Sequence, residues 1–134
     1  MSKIINFTNS FFISDIQYQR YFLKLPSITF ISNLLNNAYK FTENGQIIVK
    51  IKKKIDNENK QVKIIVKDSG TGIDKEILPR LFEKFATKSE AGTGLGLYIS
   101  KKIVEAHGGK IWAENNNSDD RGATFYFTLP IDKS

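Results

Sequence analysis

The chain contains no cysteine and a single histidine, His107. Without cysteine there is no disulfide framework, no thiol nucleophile and no thiolate metal site. One histidine alone gives no expectation of a zinc centre. No apolar run approaches the roughly 18–20 residues that a membrane span requires. The opening MSKIINFTNSFFISD has one lysine and a short, broken apolar run. A cleaved secretory signal is therefore not expected, and a cytoplasmic location is. Also missing are the G-x-x-x-x-G-K-S/T pattern of a P-loop, a strand-borne G-x-G-x-x-G, and the nucleophile elbow of a Ser-His-acid triad.

What is present fits one domain. The 134 residues include ten Phe, and 40% are apolar, enough for a real core. Twenty Lys and Arg against 14 Asp and Glu give a formal charge of +6. The lysines fall mostly in VKIKKKID and KQVKIIVK (49–56 and 60–67), alternating with apolar residues. That pattern reads as the solvated face of a sheet with charged edges, and nucleic acid is not the expected partner.

Residues 1–25 are aromatic and irregular, and read as a divergent or truncated N-terminal segment ahead of a domain at 26–134. Ile28, Ile31, Leu34, Leu35, Ala38 and Phe41 recur at helical spacing, between Pro26-Ser27 and Asn44-Gly45. Ile47, Val49 and Ile51 alternate, as do Val62, Ile64 and Val66, with the turn signal DNEN (56–59) between them. An antiparallel hairpin follows. After DSGTGID (68–74), KEILPRLFEKF reads as a short helix interrupted by Pro79, and ATKSEAGT (86–93) as a polar loop. LGLYISKKIVEAH is a predicted helix with Leu95, Ile99, Ile103 and Ala106 on one face, stopped by Gly108-Gly109. KIWAEN and ATFYFTLP complete the strands, the second burying Phe125, Phe127 and Leu129. The expected fold is an α/β two-layer sandwich, with helices on one face of a mixed sheet.

Three separated segments carry chemistry. In the first, Asn33, Asn37 and Lys40 share adjoining parts of one helix face. An amide oxygen can ligate Mg²⁺, and an ammonium three residues on can reach the phosphates that Mg²⁺ bridges. Alone, the set also reads as an ordinary polar helix face. In the second, Asp68 ends a buried strand before Gly70 and Gly72. A carboxylate there can accept a hydrogen bond from an exocyclic amine such as that of adenine, and glycines let backbone approach a flat ring. An Asp in a plain turn would look the same. In the third, Gly92-Thr93-Gly94-Leu95-Gly96-Leu97 opens a helix whose N–H groups and dipole suit phosphate. Each segment supplies a different part of one ligand.

Taken in order, these segments resemble the ATP-binding catalytic (HATPase) domain of two-component sensor histidine kinases. That domain belongs to the wider gyrase, Hsp90, histidine kinase and MutL superfamily. ISNLLNNAYKFT resembles the asparagine box, KDSGTGID the first glycine box and LFEKF (81–85) the phenylalanine box. GTGLGLYISKKIVEAHGGKIWAEN is similar to the second glycine box with its helix and strand, and GATFYFTLP to the closing strand. The likeness runs from about Ile28 to Pro130. Upstream, FLKLPSITFISN lacks the Asp-x-x-Arg segment and the Gln usual in the family.

The resemblance implies a Bergerat ATP-binding fold, with ATP and Mg²⁺ as cofactors. Asn37 would be the Mg²⁺ ligand with Asn33 close by, and Lys40 would touch phosphate. Asp68 would recognise the adenine amine with Thr124 nearby, and Gly70 and Gly72 would shape the pocket. Phe41 and Ile73 would wall the base. Gly92, Gly94 and Gly96, with Thr93, Leu95 and Leu97 between and beside them, would form the phosphate loop. Phe82 and Phe85 would anchor a lid at about 86–93, and Lys84 or Lys88 would approach the γ-phosphate. Superfamily branches that hydrolyse ATP carry a Glu four residues before the Mg²⁺ ligand, where this chain has Asn33. An amide cannot take a proton near neutral pH, so phosphoryl transfer is favoured over hydrolysis.

The implied activity is that of a protein-histidine kinase in a phosphorelay. The acceptor histidine would lie on a dimerisation domain in cis or in trans, and a response regulator receiver domain would follow. A non-catalytic ATP-binding or interaction module, and a stand-alone serine kinase of the anti-sigma type, stay open as alternatives. His107 lies about 15–20 Å along its helix from the phosphate loop. It is expected to cap or pack a helix end, not to carry phosphate.

Overall fold

The computed structural model describes residues 3–9, 34–40, 42, 45–56, 59–86, 95–117 and 121–130. Five strands form one sheet in the order β1-β2-β3-β5-β4. β1 (Lys3–Asn9) runs parallel to β2 (Gly45–Asp56), with Lys3 opposite Gly45. A parallel pair needs a crossover, and the connection contains a helix, α1, described over 34–40. β2 and β3 (Asn59–Asp68) form the expected antiparallel hairpin, from Ile47 opposite Asp68 to Asp56 opposite Asn59. β5 (Ala123–Pro130) pairs antiparallel with both β3 and β4 (Lys110–Asn115). The sheet is therefore mixed, and β1 belongs to it although its sequence shows no clean alternation.

Alternation sorts the two faces elsewhere. Ile47, Val49, Val62, Ile64, Val66, Phe125, Phe127 and Leu129 are buried on one face, where Leu34 and Ala38 of α1 and Val104 of the second helix join them. Each such side chain contributes about 2 kcal/mol of burial. On the other face Lys50 and Lys52 are exposed, while Trp112 and Tyr126 stack at 5.2 Å and 12°. Lys63 Nζ lies 5.4 Å and 5.0 Å from their ring centres. The helices thus cover one face, as expected for a two-layer sandwich.

Two helical expectations need correction. KEILPRLFEKF forms no α-helix; only a 3₁₀ turn, Leu78–Arg80, appears there. Pro79 sits at its start, where a missing N–H is tolerated, but it cannot continue a helical ladder. The turn is set up by Asp74, whose Oδ1 accepts the Glu76 N–H at 2.8 Å and whose carbonyl accepts from Ile77 and Leu78. The second helix, α2 (Gly96–Ala106), exists but buries a different face. Ser100 and Val104 are buried and Leu97 and Ile103 pack on the core, whereas Ile99 and Ala106 are exposed. Ser100 can be buried because its hydroxyl donates to the Gly96 carbonyl at 2.8 Å.

α2 ends in a Schellman motif. Gly108, at φ +80°, donates its N–H to Glu105 O, and Gly109 donates to Val104 O, both at 2.9 Å. His107 is the C-cap, with its Nδ1 2.8 Å from Ile103 O. Its place at a helix end, bonded back to its own helix, matches the structural part expected of it. Alanine at Gly108 must adopt a left-handed backbone, so Gly108→Ala is expected to cost about 1 kcal/mol. Urea unfolding, with the midpoint shift multiplied by its slope, checks this.

Candidate functional site

At the end of β3, register places Ile47, Asp68, Ala123 and Asn115 side by side across four strands on the core-facing side. Asp68 is only 4% exposed. Its Oδ1 accepts N–H groups from Gly70 at 2.9 Å and Ala123 at 3.2 Å. Among the described residues Oδ2 accepts none, and it is the oxygen left for a ligand. Burial pushes this carboxyl above its usual value of 3.8, and the two backbone N–H groups pull partly against that shift.

The backbone around Asp68 is held by side chains that motif reading alone does not single out. Asn116 Nδ2 donates to Asp68 O at 2.9 Å and to Arg121 O at 2.8 Å, while its Oδ1 accepts the Thr124 hydroxyl at 2.6 Å. Asn115 bonds both backbone groups of Ile73, at 2.7 Å and 2.9 Å. Gly122, at φ +101°, lies so close to Asp68 that an added Cβ would stand 2.7 Å from Oδ1. Ser69 accepts the Gln46 N–H on its Oγ at 2.8 Å, tying the loop to the start of β2. Beside it, Thr42 is buried, and among the described residues its hydroxyl has no partner. An unpaired buried hydroxyl costs on the order of 1–3 kcal/mol, which a water or ligand atom would offset.

Two further elements frame the site. On α1, Leu34 and Ala38 face the core, Asn37 is half-buried and Lys40 exposed. α2 begins at Gly96 after Leu95, with no side-chain cap and no acidic residue in its first turn. The helix dipole puts partial positive charge at this end. Between the Asp68 loop and α2, Phe82 packs edge-on against Phe125 at 6.5 Å and 83°. Lys84 Nζ lies 5.2 Å from the Tyr98 ring of α2, which Lys102 also approaches at 5.6 Å. Phe85 is 66% exposed and holds φ +62°, a backbone rarely adopted by a bulky residue.

Residues 27–133 match the family model described as histidine kinase-, DNA gyrase B-, and HSP90-like ATPase. The chain belongs to that family. Within it, the chain is similar to the sensor protein FixL of Bradyrhizobium diazoefficiens, 40% identical over 73% of this chain and 19% of FixL. It is also similar to the sensor protein KdpD of Clostridium acetobutylicum, 45% identical over 75% of this chain and 11% of KdpD. The chain thus spans less than a fifth of the length of either relative. Full-length ShkA in complex with AMPPNP superimposes with a TM-score of 0.74 at 27% identity, over 99% of this chain and 26% of ShkA. The catalytic domain of histidine kinase ThkA gives 0.70 at 30% identity, over 96% and 79%. The chain is a HATPase domain of the sensor histidine kinase type.

Several expected positions of this HATPase domain come together: Asp68, Gly70, Gly72 and Ile73 form one loop braced by β4 and the turn after it. Thr124 sits on the opposite side of β5 from Ala123, and its hydroxyl is bonded to Asn116. The Ala123 amide, not Thr124, reaches the carboxylate. Leu97 packs on the core and Leu95 and Gly96 start α2. Lys84 lies against α2, Phe82 against the core, and Phe85 outward. Asn33, Phe41, Lys88, Gly92, Thr93 and Gly94, with lid positions 87–93, lie outside the described residues. Asn115, Asn116 and Gly122 were not among the expected site residues; only the family's closing GATF hinted at the last. Among the described residues no helix is long and apolar enough to cross a membrane.

Proposed function

We propose that this domain binds ATP with Mg²⁺ and transfers the γ-phosphoryl group to a histidine. That histidine would sit on a dimerisation domain of the same polypeptide or of another chain, with a response regulator receiver domain as the next acceptor. The observation that carries this is the Asp68 carboxylate. It is buried at a strand end with Oδ1 satisfied and, among the described residues, no donor on Oδ2, beside a loop of two glycines. A 6-amino group is the complement of that oxygen, and a 6-oxo group is not, which favours adenine over guanine.

The remaining groups suit a bound triphosphate. Lys40 and the positive dipole end of α2 would offset phosphate charge, and Lys84 would draw near through the loop that carries it. No cluster of three or more His, Cys, Asp or Glu suited to a metal occurs among the described residues. The Asn37 amide oxygen would serve as protein ligand to a Mg²⁺ ion otherwise held by phosphate and water. Mg²⁺ there would neutralise charge on the phosphates as the γ-phosphoryl group leaves. In the transfer, the acceptor imidazole nitrogen supplies an electron pair to phosphorus, and the bridging oxygen leaves with ADP. Asn33, an amide in place of a Glu, leaves water without a base. The sensor-kinase relatives support this over the anti-sigma alternative.

Titrating the chain with ATP, with and without Mg²⁺, then adding labelled ATP and a histidine-containing dimerisation domain, tests the proposal. Mg²⁺-dependent binding and label on the supplied histidine are the expected results. Asn37→Ala should lose the Mg²⁺-dependent part of ATP affinity and the transfer, while keeping Mg²⁺-free ADP binding. Nucleotide binding with no transfer to any supplied histidine domain would overturn the kinase assignment.

A further inference from the structure

We infer that Asn115 is a positioning residue for the base pocket, acting through the Ile73 peptide. This rests on the nucleotide-binding role proposed above. β4 ends at Asn115, which register sets opposite Ala123, the residue whose N–H reaches Asp68. From there the Asn115 side chain spans to a loop 42 positions earlier in the chain. Its Oδ1 accepts the Ile73 N–H at 2.7 Å and its Nδ2 donates to the Ile73 carbonyl at 2.9 Å. A short planar group with an acceptor and a donor side by side can hold both backbone groups of one residue at once. The planar amide of Asn or Gln has that pairing of acceptor and donor.

The close approach needs Gly72. It sits at φ +83°, and a Cβ there would stand 3.0 Å from Asn115 Oδ1. The following residue of the chain locks the other end of the same loop. Asn116 Nδ2 donates to the Asp68 carbonyl at 2.9 Å. Adjacent asparagines at the close of β4 thus fix Asp68, which reads the edge of a base, and Ile73, which walls its face. The separation of those two contacts is braced from β4, across a loop whose Gly70 and Gly72 would otherwise leave it looser.

Calorimetric titration of wild type, Asn115→Ala and the isosteric Asn115→Asp with ADP and with AMP tests this, well below the melting temperature. The aspartate keeps the acceptor for Ile73 N–H but sets an oxygen against Ile73 O. Both variants are expected to bind about tenfold more weakly, and equally so for ADP and AMP, because the loss is on the base side. Hydrogen exchange at the Ile73 amide should quicken in Asn115→Ala. A lowered melting temperature with ADP affinity within twofold of wild type would overturn the inference, leaving Asn115 a purely structural residue. Unchanged Ile73 exchange would overturn it too. Failure of the wild type to bind ADP would instead sink the nucleotide role, and the exchange measurement would still decide whether Asn115 holds the loop.

Discussion

Asp68→Asn is expected to lower adenine-nucleotide affinity by on the order of 100-fold without unfolding the domain. The asparagine can keep its oxygen on the Gly70 and Ala123 N–H groups, which now hold Oδ1. Its NH₂ then occupies the place of Oδ2, and a donor faces the donor of the incoming amine. One charge-assisted hydrogen bond is lost and one mismatch gained. Stability should not fall, because burial disfavours the charged carboxylate and the amide carries no charge. The pH dependence follows from the same shift. The folded carboxyl titrates above 3.8, so its stabilising contribution is complete below that value and lost as pH rises through the raised one. Nucleotide binding runs oppositely, since it needs the charged form. In wild type, affinity should decline on acidification from a pH above 3.8, and in Asp68→Asn that component should vanish. Wild-type affinity in the variant would remove Asp68 from the site.

Gly122→Ala should have the largest effect on stability, about 3 kcal/mol, and should abolish nucleotide binding as well. Two costs add. The residue sits at φ +101°, where a side chain strains the backbone, and the added carbon would press on Asp68 O and stand 2.7 Å from Asp68 Oδ1. Relief requires the end of β3 to move away from β5. That movement would break the bonds from Ala123 N to Asp68 Oδ1 and from Asn116 Nδ2 to Asp68 O. Urea unfolding and ADP titration on one preparation report both losses. A variant with wild-type values in both would mean the turn accommodates a methyl group and does not hold Asp68.

The parts of this molecule legible from sequence are those whose information is local. Alternation in QIIVKIKKK and QVKIIVKD found the hairpin, and ATFYFTLP found the strand that carries Phe125 and Phe127. The first glycine box found the Asp68 loop. Pro79 was visible, yet KEILPRLFEKF still read as helical because its apolar spacing survives in a chain of turns. α2 was found with the wrong buried face, since a serine at a core position looks polar until its bond to Gly96 O is known. Asn115 and Asn116 were illegible for a different reason. Their partners lie 42 and 48 positions away, and only strand register brings them together. β1 escaped notice because adjacent Ile4 and Ile5 hide the period of two that a half-buried strand shows.

The Trp112–Tyr126 stack, on the face opposite α1 and α2, has a spectroscopic consequence. Trp112 is the only tryptophan, and it lies on the side of the sheet away from Asp68 and α2. Its ring is flanked by a tyrosine 5.2 Å away and a lysine ammonium 5.4 Å away, an arrangement that exists only while β3, β4 and β5 are aligned. Tryptophan emission from this domain therefore reports the integrity of the sheet, from the side away from Asp68. The molecule carries a built-in gauge of folding, set one β-layer away from whatever occupies its other face.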